Sequence, residues 1–211
     1  VDVRAFRAGV NAMLQHTLHA PVATNLPVQG ALYGVRQDGR GRTTHTIMPY
    51  VDTLEKTAAW CRQLISESLG KQGKGITPLA AQGTVDQHSM LQLLLDGRDD
   101  KYFTVIVTEQ KGRGTEIPTT LAALAGLSYL GGRPLGDVLD AFQKGTIGSI
   151  QGSKRPVRTI HMPKVDAFHL GALMMGFMLE TVLIAHMIGV DAFDQPAVED
   201  SKIRAKKVLG V

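Results

Sequence analysis

Helical and extended segments alternate along the chain, and that order constrains it to an α/β fold of βαβ units around a mostly parallel sheet. The clearest strand runs from Tyr102 to Thr108 and contains Phe-Thr-Val-Ile-Val. Thr43 to Met48 alternates β-branched residues, Pro78 to Ala81 reads as a short buried strand, and Val157 to Met162 supplies another. Helices are expected over Val3 to Leu18, Leu26 to Gln37, Asp52 to Ser68, and Thr84 to Asp96 closed by Gly97. Others run from Thr119 to Tyr129, from a start at Pro134, from Ala167 to Val190, and from Pro196 to Val208. No internal repeat and no Pro/Ser-rich linker interrupts this order, so residues 1–211 are expected to form one domain.

With 211 residues, 44% of them hydrophobic, there is enough chain to bury a core. A net charge of +4 suits an anionic ligand but is too mild to require nucleic acid, and 5% aromatics without basic interleaving count further against it. Cys61 is the sole cysteine, so no intrachain disulfide forms and a reduced, cytoplasmic setting is expected. The start, Val1-Asp2-Val3-Arg4, carries no initiator Met and no apolar signal region, and reads as a chain entered partway.

Ala167 to Val190, rich in Leu and Met, is long enough to span a bilayer. Glu180 argues against that, since a carboxylate near mid-span costs roughly 2.5 to 3.5 kcal/mol on insertion scales, and His169 and His186 add to the burden. A helix buried on all sides is the expectation, with no membrane partner.

Three short runs carry candidate chemistry. In Glu67-Ser68-Leu69-Gly70-Lys71 a lone carboxylate stands where a helix stops. The core stripe of that helix is Leu54, Ala58, Cys61, Ile65 and Ser68, spaced four, three, four and three residues apart, which makes Cys61 a core residue. Trp60, Leu64 and Glu67 form a second, partly apolar flank, where a carboxylate can serve as a base. On this helix alone, a solvent-facing Glu at a frayed end is the favoured reading. Gly70, Gly73 and Gly75 follow a helix and open none, so they do not make a phosphate-binding loop.

In Gly83-Thr84-Val85-Asp86-Gln87-His88, Thr84 and Gln87 fit a capping box and Asp86 sits in the first turn. His88 then lies one turn into the helix. Its stripe through Leu91 and Leu95 fits a core or interface histidine, while the positive end of the helix dipole favours a neutral imidazole able to exchange a proton. The two readings stand about even.

In Phe193-Asp194-Gln195-Pro196, Pro196 opens a helix, and Gln195 and Lys202, seven residues apart, project from one face towards an anionic, hydroxyl-rich ligand. Alternatively, Lys202 belongs with Arg204, Lys206 and Lys207 to a solvated basic helix. His16 and His19 share a helical face but lack a third ligand, so no metal site is expected.

Taken together, the three runs resemble the phosphoglucose isomerase family from about the second helix to the end of the chain. Glu67-Ser68-Leu69-Gly70-Lys71 is similar to its Glu-Ser-x-Gly-Lys run, and Gly83 to His88 to its Gly-Thr-x-x-Gln-His run. Phe193 to Lys202 is similar to its signature Phe-Asp-Gln-x-Gly-Val-Glu-x-Gly-Lys, with Ala197 and Ser201 where that pattern has glycines. The resemblance implies a three-layer αβα sugar-isomerase domain of Rossmann-like build, acting without metal or organic cofactor on a sugar phosphate. It implies that Glu67 moves the proton between C2 and C1 through a cis-enediol. His88, supplied by the neighbouring subunit of a homodimer, and Lys202 assist ring opening, and Gln195 contacts the substrate.

The family's preceding sugar-isomerase domain, with its Ser/Thr phosphate loop and its Gly-Gly-Arg run, is not found here. This implies the C-terminal half of the enzyme, nearly inactive alone, because the phosphate anchor and the arginine orient the substrate and stabilise the transition state. A non-catalytic sugar-phosphate-binding regulatory module is the alternative, and the joint presence of Glu67, His88, Gln195 and Lys202 argues against it.

Overall fold

β3, Lys101–Thr108, is buried at every position, because it lies inside a parallel sheet covered by helices on both faces. The computed structural model describes residues 1–210. Its four strands, β1 (Thr44–Pro49), β2 (Thr77–Ala80), β3 and β4 (Val157–Met162), are ordered β2-β1-β3-β4 with every pairing parallel. The helices are α1 (Val3–His19), α2 (Leu26–Asp38), α3 (Glu55–Leu69), α4 (Gly83–Ser89), α5 (Leu91–Asp96), α6 (Thr119–Leu124), α7 (Leu135–Gly152), α8 (Ala167–Ile188) and α9 (Pro196–Val208). Pro78 is tolerated in β2 because β2 is an edge strand.

Successive residues of the central strands serve opposite layers, as the two-residue period of a strand requires. Ile47 and Ile106 pack with Cys61 and Ile65 of α3 and with Phe177 and Ile184 of α8. Met48, Phe103, Val105 and Val107 pack on the other face against Leu94 of α5 and Ile150 of α7. The architecture is therefore the expected αβα sandwich. The predicted stripe of α3 is buried throughout, and burial pushes the Cys61 thiol pKa far up, as expected for a core cysteine.

α8 differs from its expectation of burial on all sides. It packs against α1, α2 and α3, yet Met178, Val182 and Met187 remain exposed on its outer side. By length and composition it passes as a membrane span. Its carboxylate nevertheless faces protein: Glu180 is buried and paired bidentately with Arg158 of β4, at 2.9 and 2.7 Å. The crossing of α1 and α8 is set by Gly9 and Gly171, where a β-carbon on either residue would overlap a backbone carbonyl of the other helix.

Two other helices are interrupted. The expected helix from Thr84 to Asp96 breaks at Met90, whose φ of −125° leaves the helical region, and restarting at Leu91 lets Leu94 bury completely. The capping box does not form: the Asp86 carboxylate accepts from the Gln82 N–H at 2.7 Å, and Gln87 turns inward to accept from Tyr50 and Thr146. The helix expected from Thr119 to Tyr129 stops at Leu124, where Leu127 N–H bonds to Ala122 and Gly126 N–H to Ala123 in a Schellman-type closure.

A buried polar cluster lies between the sheet and α2 and α8. His45 of β1 is 2% exposed, stacks on Tyr102 at 4.4 Å and meets Thr104 Oγ1 at 2.7 Å. Burial first, and the charge of Arg158 second, push its pKa well down. His45 is thus neutral when folded, while the unfolded chain takes up a proton below about pH 6.5. Stability is then complete above that value and declines below it, by roughly 1.4 kcal/mol per pH unit. Urea denaturation as a function of pH is expected to show this slope, and His45→Gln is expected to remove it. Equal slopes in the two proteins would show that His45 is not its source.

Candidate functional site

The last turn of α3 brings Glu67 to the surface beside the end of α8. Its flank on Trp60 and Leu64 leaves the carboxylate half-buried, so it is neither core nor a freely solvated end. Oε1 accepts from Gln63 Nε2 at 3.1 Å, one turn earlier on the same helix. Oε2 accepts from Gln195 Nε2, also at 3.1 Å, across 128 residues of sequence.

The partner arrives because α8 ends sharply. Gly189 takes a left-handed conformation (φ 70°, ψ 49°), open to glycine without strain. With Val190 N–H bonded to the Ala185 carbonyl, it closes a Schellman motif. The chain then folds back over the turn that follows α3, and Pro196 starts α9. A cavity of about 410 Å³ lies between these pieces, lined by Glu67, Gly70, Lys71, Asp191, Asp194 and Gln195 among others.

Charges in this lining are three carboxylates, Glu67, Asp191 and Asp194, and one ammonium, Lys71. Lys71 is only 8% exposed at its side chain and pairs with Asp194 Oδ1 at 2.8 Å, so its charge is already engaged. The cavity therefore offers an oriented carboxylate and an amide to a hydroxylated carbon chain. It offers no unpaired cation to a phosphate. Among the described residues no cluster of His, Cys, Asp and Glu has the arrangement of a metal site. His16 and His19 are taken up locally, by the Leu26 N–H and by Gln15.

The other two candidates lie elsewhere. His88 is exposed on α4, on the opposite face of the sheet from α3. It also sits at the opposite end: α4 follows the C-terminal end of β2, whereas Glu67 closes the helix that leads into the start of β2. Lys202 is exposed on α9, two turns beyond Gln195, and pairs with Glu199 Oε1 at 2.6 Å. Reasoning from sequence passed over Lys71 and Asp194 as partners. They are 123 residues apart in number, and only the closeness of each to a candidate residue signalled them.

A larger cavity, about 590 Å³, opens along the free edge of β4 between α1, α2 and α8. Its walls include Met13, Leu26, Leu173 and Phe177, and its floor is the Arg158–Glu180 pair. Those two charges satisfy each other, so neither is free to act as a base or an anion anchor. Tyr33, at its rim, donates to the Phe103 carbonyl, and burial raises its pKa to about 12. The chemistry is better served by the smaller cavity.

Known proteins match this chain nearly end to end. The family model described as phosphoglucose isomerase matches residues 2–210. The glucose-6-phosphate isomerase of Rubrobacter xylanophilus is 36% identical over 202 residues, covering 96% of this chain and 47% of that protein. A probable glucose-6-phosphate isomerase of Natronomonas pharaonis is 42% identical over 171 residues, 81% of this chain and 39% of its own. The chain thus spans less than half the length of these relatives. Among solved structures, a hypothetical protein of Thermus thermophilus superposes with a TM-score of 0.90 at 30% identity, over 100% of this chain and 51% of its own. A glucose-6-phosphate isomerase of Chlamydia trachomatis shares the fold at 21% identity, with a TM-score of 0.84 over 98% of this chain and 42% of its own. With the family match running nearly end to end, this chain belongs to the phosphoglucose isomerase family.

Proposed function

We propose that this chain is the proton-transfer half of a glucose-6-phosphate isomerase, the second sugar-isomerase-type domain of an enzyme interconverting glucose 6-phosphate and fructose 6-phosphate. The observation that carries the reading is the meeting of Glu67 and Gln195 in one cavity. In this mechanism Glu67 takes the proton from C2 and returns it to C1 through a cis-enediol. Gln195 orients the carboxylate and a substrate hydroxyl, and no metal or organic cofactor takes part.

The surplus of carboxylates around Glu67 supports a shared site. A phosphate held next to them would be repelled, so the anchor belongs to another part of the enzyme. His88, at the far end and on the opposite face of the sheet from Glu67, cannot reach the same sugar from within one chain. It serves the site of a second copy in a homodimer. Lys202 exchanges Glu199 for the ring oxygen when substrate binds. A cytoplasmic location goes with this reading.

The test is proton exchange. In the full-length enzyme, Glu67→Gln is expected to lower the loss of tritium from C2-labelled substrate by roughly 10² to 10⁴-fold while leaving binding of 6-phosphogluconate nearly intact. A variant that isomerises at the normal rate would remove Glu67 from the role of base. Normal binding with no exchange in the unsubstituted enzyme would instead identify a sugar-phosphate sensor.

A further inference from the structure

Gln195 precedes a helix that does nothing to fix it. None of the residues of α9 is buried, so packing of that helix cannot set the position of the amide that meets Glu67. The segment before it is held from the other side, by two lysines of the turn after α3. Lys74 Nζ donates to the Ile188 carbonyl at 2.8 Å, at the end of α8. Lys71 Nζ donates to the Asp191 carbonyl and pairs with Asp194 Oδ1 at 2.8 Å. The Asp191 carboxylate in turn accepts from the Phe193 N–H at 2.8 Å, so the segment between the two anchor points is itself tied.

Lys71 is among the most withdrawn of the chain's paired cations, with Arg155 and Lys101. Its side chain is 8% exposed, although it sits at the surface end of a helix and pairs with a carboxylate that is 55% exposed. An ammonium withdrawn this far from water is maintained by its bonds to the segment it holds. Asp194 is adjacent in sequence to Gln195, and Lys71 is four residues beyond Glu67. A single ammonium therefore links the backbone carrying the carboxylate to the backbone carrying its amide partner.

We propose that Lys71 is a positioning residue: through Asp194 and the Asp191 carbonyl it holds Gln195 against Glu67 and so fixes which way the carboxylate faces in the cavity. This rests on the reading of Glu67 and Gln195 as site residues, but its test uses no substrate, so the two can fail separately. Lysine is suited to the task because its ammonium can bond a carbonyl and a carboxylate in different directions.

The experiment is side-chain amide NMR with hydrogen exchange on this chain, comparing Lys71→Met, Lys71→Arg and Asp194→Asn with the parent. Lys71→Met is expected to abolish the contact between the Gln195 amide protons and the Glu67 side chain. It is also expected to reduce exchange protection across residues 191–196 by roughly tenfold or more, with protection in β1 and β3 unchanged. Lys71→Arg, which keeps the charge, is expected to restore most of the protection. A purely structural role would lower protection throughout the chain and leave the Gln195 contact in the folded fraction. That result, or an intact contact in Lys71→Met, overturns the proposal. Should Lys71→Met fail to fold, Asp194→Asn decides: loss of the contact supports the assignment, and retention overturns it.

Discussion

Glu180→Leu is expected to destabilise the protein by about 3 to 5 kcal/mol, the usual result of removing one partner from a buried ion pair. Glu180 is 7% exposed, and its two oxygens accept from the two terminal nitrogens of Arg158. Arg158 Nε donates to Thr104 Oγ1 at 2.7 Å, a bond that holds the guanidinium at this position. Leucine at 180 would leave that charge in place without its counterion. Replacing both partners, Arg158→Met with Glu180→Leu, is expected to recover most of the loss, because apolar side chains would fill the volume without a desolvated charge. Urea denaturation of the two single variants and the double variant measures this directly. Additive losses would show that the pair is not coupled in the way the geometry demands.

Gly171→Ala is expected to release α1 from the body of the protein, with a loss of roughly 1 to 3 kcal/mol or more. At the α1–α8 crossing a β-carbon on Gly171 would run into the Phe6 carbonyl, and one on Gly9 into the Phe168 carbonyl. Both obstacles are backbone, so no rotamer change can relieve them, and the helices must separate. Gly9 is the one buried residue of α1, so once the crossing opens little holds that helix in place. Hydrogen exchange is expected to show loss of protection in α1 with β1 and β3 unchanged, and Gly9→Ala is expected to give the same pattern. Uniform loss of protection would mean that α1 is integral to the cooperative fold.

The elements most legible in the sequence were those whose local pattern and tertiary setting agree. Tyr102 to Thr108 is strand-forming by composition and occupies an interior strand. Leu54, Ala58, Cys61, Ile65 and Ser68 repeat at helical spacing and are all buried. The break at Met90 was not legible, because helical periodicity continues through it. The stop after Leu124 did carry a signal that the expectation of a helix to Tyr129 passed over: Gly126, left-handed at φ 69°, is the residue type that closes a Schellman motif.

Glu67 shows how the division runs at the site. Local sequence favoured a solvated end-of-helix glutamate, and the motif resemblance alone lifted it to a candidate base. Its neighbours were a matter of tertiary structure: an amide 128 residues away reaches it because Gly189 turns the chain and Lys71 holds the returning segment. Glu180 is the parallel case, since the sequence established that a carboxylate interrupts an apolar helix but not that Arg158 neutralises it. Chain order by itself determined the α/β class, the parallel sheet and the core stripe of α3, because those follow from periodicity within each segment and from the alternation of segments along the chain. Which charges pair, which helices touch and which candidates share a cavity was decided only by the tertiary fold, because those contacts join distant segments whose approach no local pattern encodes.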